Sequence, residues 1–265
     1  MKFMRSFYIS LISLCLLLTG YSFAQHEGRN FLGINFGISN FHIRDDHASP
    51  LFFRGTGIAP SLQYFYKSDT ERHSVELSYL YGYLSSNNSN FNTDNWRGEI
   101  KYSYVHSISG LNIFNKGVEF FLGVSASSFL SLSDYHFIDD QHLAIKSWYW
   151  HHSVNAEILM ECALRKSEFV SIQFSLPLIS NISRPNYSPS KNYSYETNTY
   201  KVDVFGETEI VPNNLFLNTV LTYQTPVGEN INLQFEYEFY YSLYSKPTEI
   251  AMYVNNIRAG LFFNF

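Results

Sequence analysis

The sequence predicts an all-β fold: a transmembrane, antiparallel, up-and-down β-barrel of about ten strands, with eight and twelve as alternatives. Three observations predict it. The first is the stretch Asn230 to Leu243, NINLQFEYEFYYSL. Ile231, Leu233, Phe235, Tyr237, Phe239, Tyr241 and Leu243 fall on one face, and Asn232, Gln234, Glu236, Glu238, Tyr240 and Ser242 on the other. A period of two is a strand, because successive side chains leave opposite sides of the pleat. The second is recurrence, since the same alternation returns along the whole chain. The third is a rhythm in the connections, long and polar after the odd strands, short after the even ones.

In order, the first strand spans Asn30–Asn40, with Leu32, Ile34, Phe36 and Ile38 outward and Gly33, Asn35, Gly37 and Ser39 inward. A loop is expected from Phe41 to Gly57. The second strand, Ile58–Tyr66, contains Pro60, which removes a ladder donor and implies a bulge or an interrupted pair. Phe65 falls on its polar face and breaks the pattern. The third strand sets Val75, Leu77, Tyr79, Tyr81 and Tyr83 outward, before a loop at Ser85–Asn95 rich in Ser and Asn. The fourth, Trp96–His106, turns Arg97, Glu99, Lys101 and Ser103 inward, and the fifth carries Val118, Phe120, Leu122, Val124 and Ala126 outward. After a loop at Ser131–Ala144, the sixth spans Lys146–Met160 with Tyr149, His151, Ser153, Asn155 and Glu157 inward. The seventh carries Val170, Ile172, Phe174 and Leu176 outward. Ile179 to Asn214 is the longest expected loop, and Tyr200–Val211 within it suits a hairpin. Leu215–Tyr223 is the eighth strand, the opening stretch the ninth, and Ile257–Phe265 the tenth, reached through Lys246–Asn256.

Residues 1–24 read as a secretory signal: Lys2 and Arg5, an apolar run from Phe7 to Leu18, and small residues at Ser22 and Ala24. Residues 25–265 form a single barrel domain on this reading. Hydrophobic residues make up 45% of the chain and aromatics 18%. The mean hydropathy is only −0.14. A barrel that places apolar residues at every second position gives that combination, and abundant Tyr and Phe suit interfacial girdles. A net charge of −5 argues against a nucleic-acid partner. Cys162 alone remains after cleavage, so the mature chain has no internal disulfide.

The signal, the dyad strands and the final Gly260-Leu261-Phe262-Phe263-Asn264-Phe265 resemble the small outer-membrane β-barrel family of Gram-negative bacteria. The resemblance implies an outer-membrane location in contact with its lipid, and handling by the barrel-assembly machinery through the C-terminal strand. An even strand count puts both termini in the periplasm and the long loops outside. Inward Lys67, Arg97, Lys101 and Arg258 are expected against Glu76, Glu99, Glu119, Glu157, Glu236 and Glu238, a charged plug in a barrel roughly 20 Å across.

The function this supports is a non-enzymatic barrel with a plugged lumen and surface loops that bind or serve the envelope. One alternative is a narrow channel with a weak cation preference. Another is a membrane hydrolase. Trp150-His151-His152-Ser153-Val154-Asn155-Ala156 resembles the His-x-Ser-Asn-Ala motif of lipid A deacylases, which makes His151 a candidate base and Ser153 a candidate nucleophile. Val154 interrupts that motif, and the strand phase turns both residues into the lumen. The segments His42–His47 and His136–His142 each read His, two Asp, His in expected loops. Such sets suit zinc, and paired acids and His at a barrel mouth are similar to the omptin proteases, though without a matching motif. No strand fixes them in this reading, so no metal, cofactor or catalytic residue is assigned.

Overall fold

A computed structural model describes residues 28–87, 91–113, 116–136, 145–165, 168–185, 193–194, 199–200, 202–210 and 214–265. The expected signal, 1–24, lies outside the described residues. The strands are β1 (Arg29–Asp45), β2 (Ser49–Ile58), β3 (Ser61–Lys67), β4 (Glu71–Ser86), β5 (Asn92–Ile113), β6 (Lys116–His136), β7 (Ile145–Arg165), β8 (Glu168–Ser183), β9 (Tyr193–Ser194), β10 (Thr199–Tyr200), β11 (Glu207–Glu209), β12 (Asn214–Pro226), β13 (Ile231–Tyr244) and β14 (Ile250–Asn264).

Each wall strand pairs antiparallel with its neighbours, and β14 closes the ring on β1 from Phe31↔Asn264 to Asp45↔Ile250. The result is a ten-strand barrel, in which β2 and β3 occupy one position in the wall. Closure pairs backbone groups that an open sheet edge would leave bare in lipid. Pro60 marks an interrupted pair rather than a bulge. Ile38↔Ile58 and Asn35↔Ser61 lie in one register against β1, as Ile58↔Tyr81 and Ser61↔Ser78 do against β4. The Pro60 carbonyl still accepts from the Tyr79 amide at 3.0 Å, so only the missing N–H breaks the ladder.

The outward faces carry the apolar band. Leu32, Ile34, Phe36, Ile38, Leu77, Ile100, Leu122, Val124, Ile158, Phe235, Ile257 and Leu261 are all exposed. Water does not tolerate such a continuous belt, and a bilayer requires it. Tyrosines near the ends of the band bond through their hydroxyls to polar neighbours. Tyr81 donates to Asp94 at 2.9 Å, Tyr64 to Asn30 at 2.8 Å and Tyr223 to Glu168 at 2.6 Å. Rings with a wet tip suit the membrane–water boundary.

The terminal rim holds the start of β1 and the end of β14; the hairpin rim is the opposite one. Each expected long loop at the hairpin rim is partly strand among the described residues. β1 runs on to Asp45, β2 begins at Ser49, β6 reaches His136, β8 reaches Ser183 and β14 begins at Ile250. The cause is an inversion of polarity along each strand. On β1 the outward residues after Ile38 are Asn40, His42 and Arg44, while the inward ones after Ser39 are Phe41 and Ile43, both buried. Above the band the barrel behaves as a soluble one, apolar inside and polar outside. β5, β6 and β7, at 22, 21 and 21 residues, are about twice the length a crossing requires, ~9–11 residues. The hairpin expected within Tyr200–Val211 does not form among the described residues. β11 instead lies along β8 opposite Ser180–Ile182, and β10 pairs with β9.

Candidate functional site: the filled lumen

The inward faces of the wall strands line the lumen, which is filled in tiers except for a cavity of about 140 Å³ between the ionic tier and the terminal rim. Nearest the terminal rim, Phe31 stacks on Phe65 at 4.4 Å, and Phe65 meets Phe262 at 5.4 Å. Gly33 supplies the space into which the Phe262 ring fits. This trio accounts for the out-of-pattern Phe65. Across the same tier Lys67 and Arg72 share Glu161, at 2.5 and 3.5 Å.

The middle tier is ionic. Arg258 Nη1 reaches Glu76 at 3.0 Å and Glu236 at 2.6 Å, while Nη2 reaches Glu238 at 2.7 Å. Glu238 also accepts from Asn218 at 2.8 Å and Asn256 at 2.7 Å. Lys101 pairs with Glu157 at 2.7 Å, and Glu157 accepts from Ser103 at 2.5 Å and Ser175 at 2.6 Å. Arg97 pairs with Glu99 at 2.5 Å. Buried carboxylates hold their charge only with such partners. The expected plug therefore forms, with two changes. Glu119 stands half exposed at the terminal rim, 3.6 Å from Arg72 and outside the ionic tier. Lys67 joins the terminal-rim tier instead of the middle one.

Arg97 connects the ionic tier to an aromatic one. Its guanidinium lies 4.3 Å from the Phe129 ring centre and 3.9 Å from that of Tyr240. Beyond it Phe41, Phe53, Tyr135, Tyr149, Phe216, Tyr240 and Tyr244 fill the bore at full burial. The alternation places only Tyr149 and Tyr240 of this stopper inward, while Phe41, Phe53 and Tyr135 fall in segments expected as loops. The signal is an inversion of polarity at unchanged phase: Phe41 and Ile43 continue the inward positions of Ser39, and Tyr240 and Tyr244 continue those of Glu238. Above the stopper, Arg184 bonds Asp45 at 2.6 Å and the Thr248 carbonyl at 2.6 Å, and Ser147 donates to Asp45 at 2.7 Å.

His151 and Ser153 share the inward face, as their spacing requires, but they do not bond to each other among the hydrogen bonds described. His151 Nε2 sits 3.1 Å from Ser180 Oγ and 3.0 Å from Asn214 Nδ2, and its ring stacks on Phe216 at 5.2 Å. Ser153 pairs with Ser127 at 2.9 Å. The base and the nucleophile are thus held in separate pairs inside a packed core, where neither meets lipid. The first His–Asp segment is strand and turn instead of loop. Asp45 is consumed by Arg184, Asp46 by Arg44 at 2.8 Å, and the His42 ring meets Tyr253 on the outer face. In the second segment His136 contacts Asp94 at 3.2 Å, and residues 137–142 lie outside the described residues. Among the described residues no group of three or more His, Cys, Asp and Glu side chains is placed to hold a metal ion.

No protein-family model and no curated protein matches the chain. Among solved structures it is similar to the transport unit of the autotransporter AIDA-I from Escherichia coli, at 9% identity over 92% of each chain, TM-score 0.44. It is also similar to the outer membrane protease OmpT from Escherichia coli, at 11% identity over 90% of this chain and 96% of that one, TM-score 0.41. A third is Ail, the attachment invasion locus protein of Yersinia pestis, at 11% identity over 88% of this chain and 99% of that one, TM-score 0.33. Likenesses this distant carry no statement of task, and the fold rests on the closed ring and its apolar band.

Proposed function

We propose that this chain is an integral outer-membrane barrel of a Gram-negative bacterium that passes no solute and performs no catalysis. It acts by holding a rigid, protruding hairpin rim outside the cell, for binding or for the structure of the envelope. The observation that carries this reading is the aromatic stopper in strands twice as long as a crossing needs. A pore gains nothing from buried Phe41, Phe53 and Phe216 across its bore, whereas a mechanically stiff surface platform does. The lack of a His151–Ser153 contact supports the non-enzymatic side. On this reading the terminal rim is periplasmic, and Phe265, exposed at the end of the last strand, is presented to the assembly machinery.

The experiment is cysteine accessibility in intact cells, on a Cys162→Ser background. His47→Cys, in the turn between β1 and β2, should react with a membrane-impermeant maleimide. Glu229→Cys, in the turn between β12 and β13, should react only after the outer membrane is permeabilised. The reverse pattern overturns the orientation, and labelling of neither in an outer-membrane fraction overturns the exposed rim.

A further inference from the structure

The outer face of β4 and β5 changes character as it nears the terminal rim. Toward that rim the outward positions of β4 run Leu77, Val75, His73 and Glu71, beside Ile100, Tyr102, Tyr104 and His106 on β5. Val75, Leu77 and Ile100 are exposed and belong to the apolar band. On β6 exposed Val124 and Leu122 continue that strip, opposite Tyr104 and His106. Glu71 opens its strand, and its carbonyl accepts from the Ser68 amide at 2.9 Å to close the turn before it. Its carboxylate therefore stands at the edge of the band, where hydrocarbon gives way to water.

Among the described residues no lysine or arginine pairs with that carboxylate. The Tyr104 hydroxyl donates to Oε1 at 3.3 Å. His106 Nδ1 lies 3.7 Å from Oε1 and His73 Nε2 lies 3.8 Å from Oε2, both beyond hydrogen-bond length. An imidazole balances a carboxylate only when it is protonated. Arg72, the next residue, directs its guanidinium elsewhere, to the carbonyls of Ser68 and Glu71 and to the side chains of Glu161 and Glu119. The Glu71 side chain keeps 27% of its surface open, so its charge is presented outward.

The groups around Glu71 suit an ammonium. Such a group has three donors, and the two Glu71 oxygens and the Tyr104 hydroxyl oxygen supply acceptors for them. Rings stand beside the carboxylate, with His73 at 4.8 Å from Tyr104 and 5.9 Å from Tyr66, and Tyr102 bonded to His73 Nδ1 at 3.0 Å. Aromatic faces attract a cation. A bare metal ion suits the cluster less, since no three His, Cys, Asp and Glu side chains among the described residues are placed to hold one. A soluble amine would leave the apolar strip next to Glu71 uncovered. An amphiphile with an ammonium head and alkyl chains covers both.

We infer that this outer-face cluster is a binding site for phosphatidylethanolamine, with the lipid's ammonium at Glu71 and Tyr104 and its acyl chains along Val75, Leu77 and Ile100. The inference goes beyond the surface role proposed above and is independent of which rim faces the periplasm.

The test uses the full-length protein in detergent micelles, titrated with dioleoyl phosphatidylethanolamine and followed by native mass spectrometry. Dioleoyl phosphatidylglycerol, which has no ammonium, and dioleoyl phosphatidylcholine, whose ammonium has no N–H, are the comparisons. The first phosphatidylethanolamine should bind saturably and about tenfold more tightly than either, because charge-assisted hydrogen bonds are the strong ones. O-phosphoethanolamine, the headgroup without chains, should not displace it at equal concentration. Glu71→Gln should abolish the preference over phosphatidylglycerol. Tyr104→Phe should weaken phosphatidylethanolamine by about threefold to tenfold, as expected for one lost hydrogen bond. Asp69→Asn, at an exposed acid in the adjacent turn, should leave the preference intact. Heat-modifiable migration on gels reports that each variant is folded, and Tyr104→Phe decides the matter if Glu71→Gln does not fold. Equal binding of phosphatidylethanolamine and phosphatidylglycerol overturns the inference, and so does a preference unchanged in the folded Glu71 or Tyr104 variant, or one lost equally in Asp69→Asn. Phosphatidylcholine binding as tightly as phosphatidylethanolamine overturns the hydrogen-bonded ammonium, and equal competition by O-phosphoethanolamine overturns the role of the apolar strip.

Discussion

Replacing Arg258 by Met tests the ionic tier at its centre. The guanidinium lies within 3.0 Å of Glu76, 2.6 Å of Glu236 and 2.7 Å of Glu238. The three acids are not equally dependent on it. Glu238 retains Asn218 and Asn256 as donors, at 2.8 and 2.7 Å. Glu236 retains only long contacts from Gln63 and Gln234, both 3.3 Å. Glu76 has no second partner in the described ion pairs, so the loss falls chiefly on Glu76 and Glu236. Removing one member of a buried ion pair costs about 3–5 kcal/mol, because the other charge is left desolvated and alone. Methionine fills most of the arginine's volume, so little of that figure is cavity. With a urea dependence of about 1–3 kcal/mol/M, the unfolding midpoint should fall by roughly 2 M. The assay is urea unfolding in lipid vesicles, followed by the fluorescence of Trp96, Trp148 and Trp150. Adding Glu76→Gln should restore at least about 1 kcal/mol, since groups in one network are not additive. A midpoint for Arg258→Met within about 0.3 M of the unmodified protein would refute the reasoning, because it would mean the acids were never charged against the arginine.

Other consequences are as direct. Leu233→Arg places a charge on the lipid face opposite Leu261, and should cost about 2–4 kcal/mol in the same unfolding assay. Phe129→Ala opens a hole where the stopper meets Arg97 and should cost about 3–5 kcal/mol, read as an earlier loss of heat-modifiable migration. Asp45→Asn strands the buried Arg184 guanidinium and should lower stability by about 3–5 kcal/mol, with no change expected from His42→Asn on the outer face. A serine-directed phosphonate should leave Ser153 unlabelled, by mass spectrometry, at concentrations that label an authentic serine hydrolase, because Ser153 is bonded to Ser127 and not to His151.

The fold was legible wherever one rule governed a strand from end to end. In the membrane band, outward Leu32 to Ile38 and inward Asn35 to Ser39 obey a single alternation, and ten such runs close a ring. Even Pro60 announced its interruption, because a missing donor is a local fact. The strand ends were hidden because the rule reverses there. Phe41 reads as the start of a loop when apolar means outward, and as core once the surroundings change from lipid to water. The lumen charges were recognisable as a set, since Arg97, Glu99 and Lys101 share a face by spacing alone. Their partners were less so. Glu119 and Glu157 have the same phase on neighbouring strands, but depth along the barrel decides that Lys101 meets Glu157 while Glu119 stays at the rim. His151 and Ser153 show the same limit from the other side. Spacing put them on one face, and the neighbours Ser180, Asn214 and Ser127, from three other strands, drew them apart.

The central claim is that the bore is shut, and steady-state conductance measures it most directly. The unmodified protein, inserted into planar bilayers at neutral pH, should show no stable open current at moderate voltage. Arg97→Ala together with Lys101→Ala removes the partners of Glu99 and Glu157 but leaves Phe41, Phe53 and Phe216 across the bore, so it too should stay closed. A large, long-lived current from the unmodified protein would contradict the account and show an open channel in place of a sealed platform.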